Sequence, residues 1–134
     1  MISRVSIATV YCSDQQAAYD FYVGKLGLEV RTDATSGGVR WLLVGPKDQP
    51  DLSLMLAEPG APLPPESMAA LREVLGRGGV NGVTFAVEDC RSAVVELANR
   101  GAVVLHEPVE QPFGIEAVLD DGCGNSVAII EYHH

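Results

Sequence analysis

The sequence predicts an α+β fold built from two βαβββ modules, because one short pattern occurs twice along the chain. Residues 7–27 contain an apolar strand, an acidic residue near a helix start, the helix and a closing glycine, and residues 82–101 repeat this order 75 positions later. A fixed self-similarity of this kind is the sign of a repeated structural unit. A chain of two such units has a seam between them, and ligand clefts form at seams.

The first module, residues 1–58, is predicted from strand and turn signals. Val, Ile and Thr dominate residues 5–12, which is typical of a strand. Ser13 is predicted as the helix N-cap, because Gln16 follows at the spacing of a capping box, and Gly27 ends the helix. Three further strands, which the turn segments SGG and GPKDQP separate from one another, are expected at residues 28–35, 39–45 and 51–58.

The second module, residues 80–134, repeats this order after a linker. Residues 59–79 contain the proline-rich segment PGAPLPP and a short helix that ends at a Gly-Gly pair. Asp14 and Asp89 occupy corresponding positions of the repeat, and both are assigned to helix capping and not to catalysis. The strands of this module are expected in four segments: residues 82–87, 102–106, 115–119 and 126–132. The whole chain is expected to form a single domain.

Charge and composition argue against several classes of protein. Nine Lys and Arg against 18 Asp and Glu give a net charge of −9, which repels a polyanion such as nucleic acid. No apolar run approaches the ~18–20 residues of a membrane span, and the N-terminus has no secretory pattern. A cytoplasmic protein without a membrane partner is therefore expected. The acidity either attracts a cationic ligand or simply keeps the protein soluble, and the sequence leaves both open.

The three cysteines do not suggest a disulfide framework or a zinc site, because they are odd in number and lack CxxC spacing. Cys12 and Cys90 are predicted to be buried, as small hydrophobic residues would be. Cys123 lies in the turn DDGCGN and is expected to be exposed.

Two motifs make the chain resemble a known superfamily. The first module carries D-x-x-x-A-x-x-F-Y-x-x-x-L-G, with its defined positions at Asp14, Ala18, Phe21, Tyr22, Leu26 and Gly27. A late turn reads D-x-x-G-N at Asp121, Gly124 and Asn125. Together with the two modules, these motifs resemble the glyoxalase, bleomycin-resistance and extradiol-dioxygenase superfamily, also called vicinal oxygen chelate. The resemblance covers nearly the whole chain and implies curved mixed sheets around a cleft, on a fold that hosts many activities.

The resemblance also implies where a metal would be held in metal-dependent members. In those members, each module supplies a His or Glu from its first strand and another from its last strand. Carried over by position, the four places are Ile7, Met55, Gly82 and Ala128. None of these residues is a ligand for a hard or borderline metal, and shifting the alignment by one residue brings no His or carboxylate. The sequence therefore predicts no metal and no cofactor.

An apolar inner face in place of metal ligands suits a drug-sized ligand. Thr9, Ser53 and Thr84 share the inward-facing register of the lost ligands. Trp41, if it faces inward, would stack on planar or cationic groups, and a place in the core or in a dimer interface is the open alternative. Phe113 lies in the segment PVEQPFG, which is expected to be a loop that borders the opening.

Acidic residues are expected around the same opening, where they would favour a cation by Coulomb attraction. They are Glu107, Glu110, Glu116, Asp120 and Asp121. Each glutamate taken singly also fits a solvated loop residue. Of the histidines, His106 ends a strand, whereas His133 and His134 close the chain and are consistent with the start of a purification tag.

The sequence thus predicts a metal-free small-molecule-binding protein that sequesters a bulky aromatic or cationic natural product, as an antibiotic-resistance protein would. The resemblance implies a homodimer with crevices at the subunit contact. Three alternatives stay open. They are a metal-dependent lyase, isomerase or dioxygenase of the same superfamily, a metal-free enzyme with His106 or a glutamate as general base, and a scaffold without a small ligand.

Overall fold

The first half of the chain forms a four-stranded mixed sheet with a helix, in a computed structural model that describes residues 1–133. The strands are β1 (Ile7–Tyr11), β2 (Glu29–Ser36), β3 (Val39–Gly45) and β4 (Ser53–Ala57), in the spatial order β1-β4-β3-β2. β1 runs parallel to β4, and the other neighbours are antiparallel. Helix α1 (Gln15–Ala18) continues as a π-helical segment, Tyr19–Lys25.

The second half repeats this arrangement after helix α2 (Pro65–Arg77). It consists of β5 (Val80–Ala86), α3 (Cys90–Asn99), β6 (Val103–Gln111), β7 (Gly114–Asp120) and β8 (Asn125–Tyr132). The spatial order is β5-β8-β7-β6, again with one parallel pair, β5 and β8. The predicted α+β fold is confirmed. No helix in residues 1–133 is long and apolar enough to cross a membrane.

Aspartates begin the first helix of each half. The Asp14 carboxylate accepts hydrogen bonds from the backbone N–H groups of Gln16 and Ala17, at 2.8 and 3.2 Å. Asp89 accepts one from the N–H of Ser92 at 3.0 Å. The prediction of Ser13 as N-cap was wrong, because Asp14 has the extended backbone of a cap and its negative charge also suits the positive end of a helix.

A glutamate at the C-terminal end of the last strand of each half adds a second hydrogen bond to the helix start. Glu58 Oε2 accepts from the N–H of Gln15 at 3.0 Å, and Glu131 Oε1 accepts from the N–H of Cys90 at 2.9 Å. Each bond satisfies a backbone donor that has no partner within its own helix. The repeat is therefore present in the hydrogen bonds as well as in the order of elements.

Each sheet packs one face against its helix and leaves the other face open. On the helix side of the first sheet, Leu42, Val44 and Leu56 are fully buried. Leu119 and Val127 are fully buried on the helix side of the second sheet. The buried residues of both halves form one cluster, which gives the protein a common core. The opposite surface of each sheet is called its open face below.

Residues 121–125, the D-x-x-G-N motif, form a turn that joins the two halves and is called the linking turn below. Asp121 Oδ1 accepts from the backbone N–H groups of Cys123 and Asn125, both at 2.9 Å. Asp121 Oδ2 accepts from the Tyr22 hydroxyl at 2.7 Å and from Asn125 Nδ2 at 2.8 Å. Asn125 Nδ2 also donates to the Tyr11 carbonyl at 2.8 Å. Burial and the neighbouring Asp121 carboxylate raise the pKa of Tyr22, which keeps its hydroxyl protonated.

Two predictions about the linking turn were wrong. Asp121 was expected on an exposed rim, and it is 1% exposed because four donors from both halves surround its carboxylate. Cys123 was expected to be exposed, and it is buried beside Cys12. A hydrogen bond shared with Cys12, together with burial, raises the pKa of the Cys123 thiol. All three cysteines are buried free thiols, as predicted for Cys12 and Cys90.

The segment PVEQPFG was expected to be a loop, and most of it is strand. β6 continues to Gln111 and contains Pro108. Proline lacks the N–H that a central strand needs, but β6 is the edge strand of its sheet, where one side of the backbone has no partner strand. The register is irregular on both sides of His106, which fits a strand that tolerates proline.

Candidate ligand-binding site

The open face of the first sheet carries five of the residues predicted to line a ligand site. Ile7 is opposite Ser53 in the ladder, and Thr9 is opposite Met55. Met55 is in turn opposite Leu43 on β3, and Trp41 lies two residues before Leu43. Because partners across a ladder and alternate residues along a strand share a face, the predicted residues lie on one surface. They are Ile7, Thr9, Trp41, Ser53 and Met55.

A crevice opens beside this surface where β3 and β4 diverge. The two strands pair only at Leu43 with Met55 and at Val44 with Leu54. Beyond these pairs, the side-chain amide of Gln15 bridges the strands, with Nε2 donating to the Arg40 carbonyl at 2.9 Å and to the Leu56 carbonyl at 2.8 Å. The amide thus bonds one carbonyl of each strand where β3 and β4 no longer pair with each other.

The crevice has a volume of about 390 Å³, which is within the range of small-molecule sites. Aromatic and aliphatic side chains form much of its wall, and the linker closes one side. The lining residues are Thr9, Tyr11, Gln15, Gly38, Val39, Arg40, Trp41, Met55, Ala57, Glu58 and residues 59–62.

Trp41 lies on the open face and is not a core residue. Its neighbours along β3, Arg40 and Leu42, point to the other face, where Leu42 is fully buried. Trp41 itself is 45% exposed. A half-exposed indole beside a crevice offers a flat apolar surface for stacking.

The charge of Arg40 is engaged outside the open face. Its Nε and Nη2 donate to the two carboxylate oxygens of Asp33, each at 2.9 Å, and its guanidinium lies 5.7 Å from the centre of the Tyr19 ring. The hydrogen bonds from Arg40 hold the pKa of Asp33 below its usual value, and the pKa of Arg40 is raised by the same pair. Glu58 is the one residue with a carboxylate side chain among those that line the crevice.

The open face of the second sheet has a corresponding row of residues. Thr84 pairs with Ala128, Ala128 with Val118, and Val118 with His106. Gly82 has little space beside it, because a Cβ atom there would lie 3.0 Å from the Ser126 carbonyl oxygen. The lack of a side chain at Gly82 therefore allows β5 and β8 to lie close together.

The structure does not bring every predicted site residue into the crevice. All of its lining residues belong to the first 62 positions, so Gly82, Thr84 and Ala128 lie elsewhere, and Ile7 and Ser53 are on the open face but do not line the crevice. Phe113, 45% exposed, sits in the turn between β6 and β7. Glu110 pairs with the buried Ile115, so it faces the helix side of its sheet, and its Oε2 lies 3.2 Å from Nε2 of His133.

Sequence reasoning missed most of the residues that line the crevice, among them Gln15, Glu58 and the linker residues 59–62. The linker was interpreted as a connection only, whereas its residues 59–62 form part of the crevice wall. Glu58 follows Met55 by three residues, just as Glu131 follows Ala128. That shared spacing was the one available signal for Glu58.

The four residues that the resemblance assigns to metal-ligand places, Ile7, Met55, Gly82 and Ala128, do not suit a hard or borderline metal ion. Thr9 is opposite Met55 in the first sheet, just as Thr84 is opposite Ala128 in the second, which supports the correspondence of the two halves. Ile, Met, Gly and Ala at these places offer no imidazole or carboxylate. Among residues 1–133, no three His, Cys, Asp or Glu side chains cluster in a way that could hold a metal.

Two repeated sheet-and-helix units with an apolar crevice define a two-module protein of the vicinal oxygen chelate type. The chain belongs to the Glyoxalase/Bleomycin resistance protein/Dioxygenase superfamily, whose family model matches residues 4–129.

Solved structures and a curated relative resemble this chain over nearly its full length. UcmS2 is 39% identical, with a TM-score of 0.87 and coverage of 98% of this chain and 99% of the other. TnmS3, an antibiotic binding protein from Streptomyces sp. CB03234, is 30% identical, with a TM-score of 0.77 and 98% coverage of both chains. The uncharacterized protein YurT of Bacillus subtilis (strain 168) is 29% identical over 96% of this chain and 98% of its own length.

Proposed function

We propose that this protein binds and sequesters a bulky aromatic or cationic small molecule in the crevice of the first sheet. The observation that carries the proposal is a ligand-sized crevice beside the half-exposed Trp41, at a surface whose metal-ligand places hold Ile7 and Met55. The similarity to TnmS3, an antibiotic binding protein, supports binding as the activity.

The mechanism is stoichiometric capture without bond making. Trp41 and Tyr11 provide flat surfaces for an aromatic ligand, while Val39 and Met55 remove apolar ligand surface from water. The Thr9 hydroxyl adds a polar group that orients the ligand. Arg40 is occupied by Asp33 and supplies no free cation for an anionic ligand.

We further propose a homodimer in which the open face of the first sheet meets the open face of the partner's second sheet. Large apolar side chains on both sheets are about half exposed, which is unusual for a surface without a partner. They are Ile7, Val39, Trp41, Val103, Leu105, Val109 and Tyr132. This pairing would bring Thr84, Ala128 and Phe113 of one subunit towards the crevice of the other.

The dimer is tested by sedimentation velocity. We expect the wild-type protein to sediment as a single species with twice the 14.2 kDa mass of one chain. Val109→Glu, which places a charge on the open face, should produce a monomer, since an unpaired charge is costly in an apolar interface. Val95→Glu is the matched control, because Val95 is 62% exposed on α3, and it should remain dimeric. A monomeric wild-type protein at micromolar concentration would contradict the dimer.

Ligand binding is tested by thermal unfolding in the presence of two panels of compounds, planar or cationic antibiotics and divalent metal salts. A ligand at a hundredfold excess over its Kd stabilises the native state by about 2.7 kcal/mol, which is a shift of roughly 10 °C for a chain of this size. We expect shifts with antibiotics and none with metals.

The alternatives make different predictions in the same experiment. A shift with a metal would favour the metal-dependent enzyme. Chemical turnover of a bound compound would favour the metal-free enzyme, if the rate depends on pH through the titration of a single general base. A full screen without any shift would contradict sequestration and favour a scaffold.

A further inference from the structure

Glu58 has two roles in this structure, and only one of them is explained by the fold. Its Oε2 accepts the backbone N–H of Gln15 and thereby caps α1. The same side chain lines the crevice that contains Trp41. We propose that Glu58 makes this crevice selective for aromatic molecules that carry a protonated amine. The inference rests on the proposed binding function and names its ligand class.

The carboxylate of Glu58 is available to a ligand. Within residues 1–133, no Lys, Arg or His nitrogen lies within salt-bridge distance of it. Arg40, the cation that shares the crevice, is held by both carboxylate oxygens of Asp33, and its charge acts on Glu58 only from beyond salt-bridge distance. A ligand cation therefore does not have to displace an existing ion pair to reach Glu58.

The repeat within the chain separates the capping role from the binding role. Glu131 occupies the corresponding position in the second half and caps α3 with almost the same geometry, 2.9 Å against 3.0 Å. Glu131 does not line the crevice. Capping requires only an acceptor oxygen, which a glutamine also has, whereas attraction of a cation requires the charge.

Trp41 and Glu58 offer complementary groups in one crevice. The indole binds a planar ring by stacking and attracts a nearby cation through its π face. The carboxylate adds a charge-assisted hydrogen bond to an ammonium group. Since Glu58 is exposed and screened by water, the added selectivity is modest, about fivefold in Kd at low ionic strength.

The test uses a matched set of naphthalene probes and isothermal titration calorimetry. The probes are 2-(1-naphthyl)ethylamine, which is cationic at neutral pH, neutral 2-(1-naphthyl)ethanol, and anionic 1-naphthylacetate. They share one aromatic ring system and differ in the charge of the side arm. For the wild-type protein we expect the amine to bind about fivefold more tightly than the alcohol, and the acetate to bind most weakly.

Glu58→Gln and Glu131→Gln are the matched variants. Both retain an acceptor at the helix start, so we expect equal and small changes in Tm. Glu58→Gln should lower the amine-to-alcohol affinity ratio to the smaller preference that the Trp41 indole alone provides, and Glu131→Gln should keep the wild-type ratio.

The outcomes separate this inference from the proposed function. Binding of the alcohol without any preference for the amine, or a preference that is undiminished in Glu58→Gln, overturns the role of Glu58 and leaves an aromatic binding site. Failure of all the probes to bind the wild-type protein overturns both proposals.

Discussion

Asp121→Ala is expected to lower the free energy of unfolding by about 3–5 kcal/mol, because it removes the acceptor shared by four donors in the interior. The donors are the Tyr22 hydroxyl, the backbone N–H groups of Cys123 and Asn125, and Asn125 Nδ2. With Asp121 only 1% exposed, water does not replace the lost bonds without opening the core. Urea denaturation followed by circular dichroism measures the change.

The neighbouring Asp120 provides the control for Asp121. Asp120 Oδ1 accepts one bond, from the N–H of Gly122 at 3.0 Å, and the residue is partly exposed. Asp120→Ala should therefore cost about 1 kcal/mol. If Asp121→Ala does not fold, Tyr22→Phe removes a single bond of the same network and should cost about 1–2 kcal/mol. A loss below 1 kcal/mol for Asp121→Ala would show that the linking turn does not hold the halves together.

Trp41→Ala is expected to raise the Kd for neutral 2-(1-naphthyl)ethanol about 30-fold to 100-fold, which is about 2–3 kcal/mol. The indole is the largest aromatic surface in the crevice, and its loss removes both stacking and burial of the ligand. Its effect on the free energy of unfolding should be small, about 1 kcal/mol, since the side chain is already 45% exposed. Calorimetric titration and urea denaturation of the same variant give both quantities.

Val95→Ala controls for the removal of an exposed apolar side chain at a distance from the crevice. Val95 is 62% exposed on α3, and its replacement should leave both the affinity and the stability close to those of the wild-type protein. Equal losses of affinity and stability in Trp41→Ala would instead assign Trp41 a structural role.

Much of the fold follows from local patterns in the sequence. The repeat at 75 residues predicted two strand-and-helix units because periodicity and capping act over a few residues. Asp14 and Asp89 cap corresponding helices, and β3 has the predicted bounds, Val39–Gly45. The prediction failed for the end of β6, because only the sheet order shows that this strand is at an edge, where Pro108 is tolerated.

The candidate site was predictable in part. Alternation along β1, β3 and β4 placed Ile7, Thr9, Trp41, Ser53 and Met55 on one face. The alternation of side chains along a strand does not predict where neighbouring strands diverge. The crevice therefore appears only in the structure, where the Gln15 amide bridges the carbonyls of Arg40 and Leu56.

The sequence by itself determined the elements and their faces, because helix caps, turns and apolar alternation are local properties of the chain. Only the tertiary structure decided which polar residues are buried and which charges are available. Asp121 and Glu58 are both acidic residues beside glycine- or proline-containing turns, yet one is enclosed by donors from both halves and the other lines a crevice. The physical reason is that burial and pairing depend on residues distant in sequence: Tyr22 is brought to Asp121 across 99 positions, and Asp33 rather than Glu58 holds Arg40.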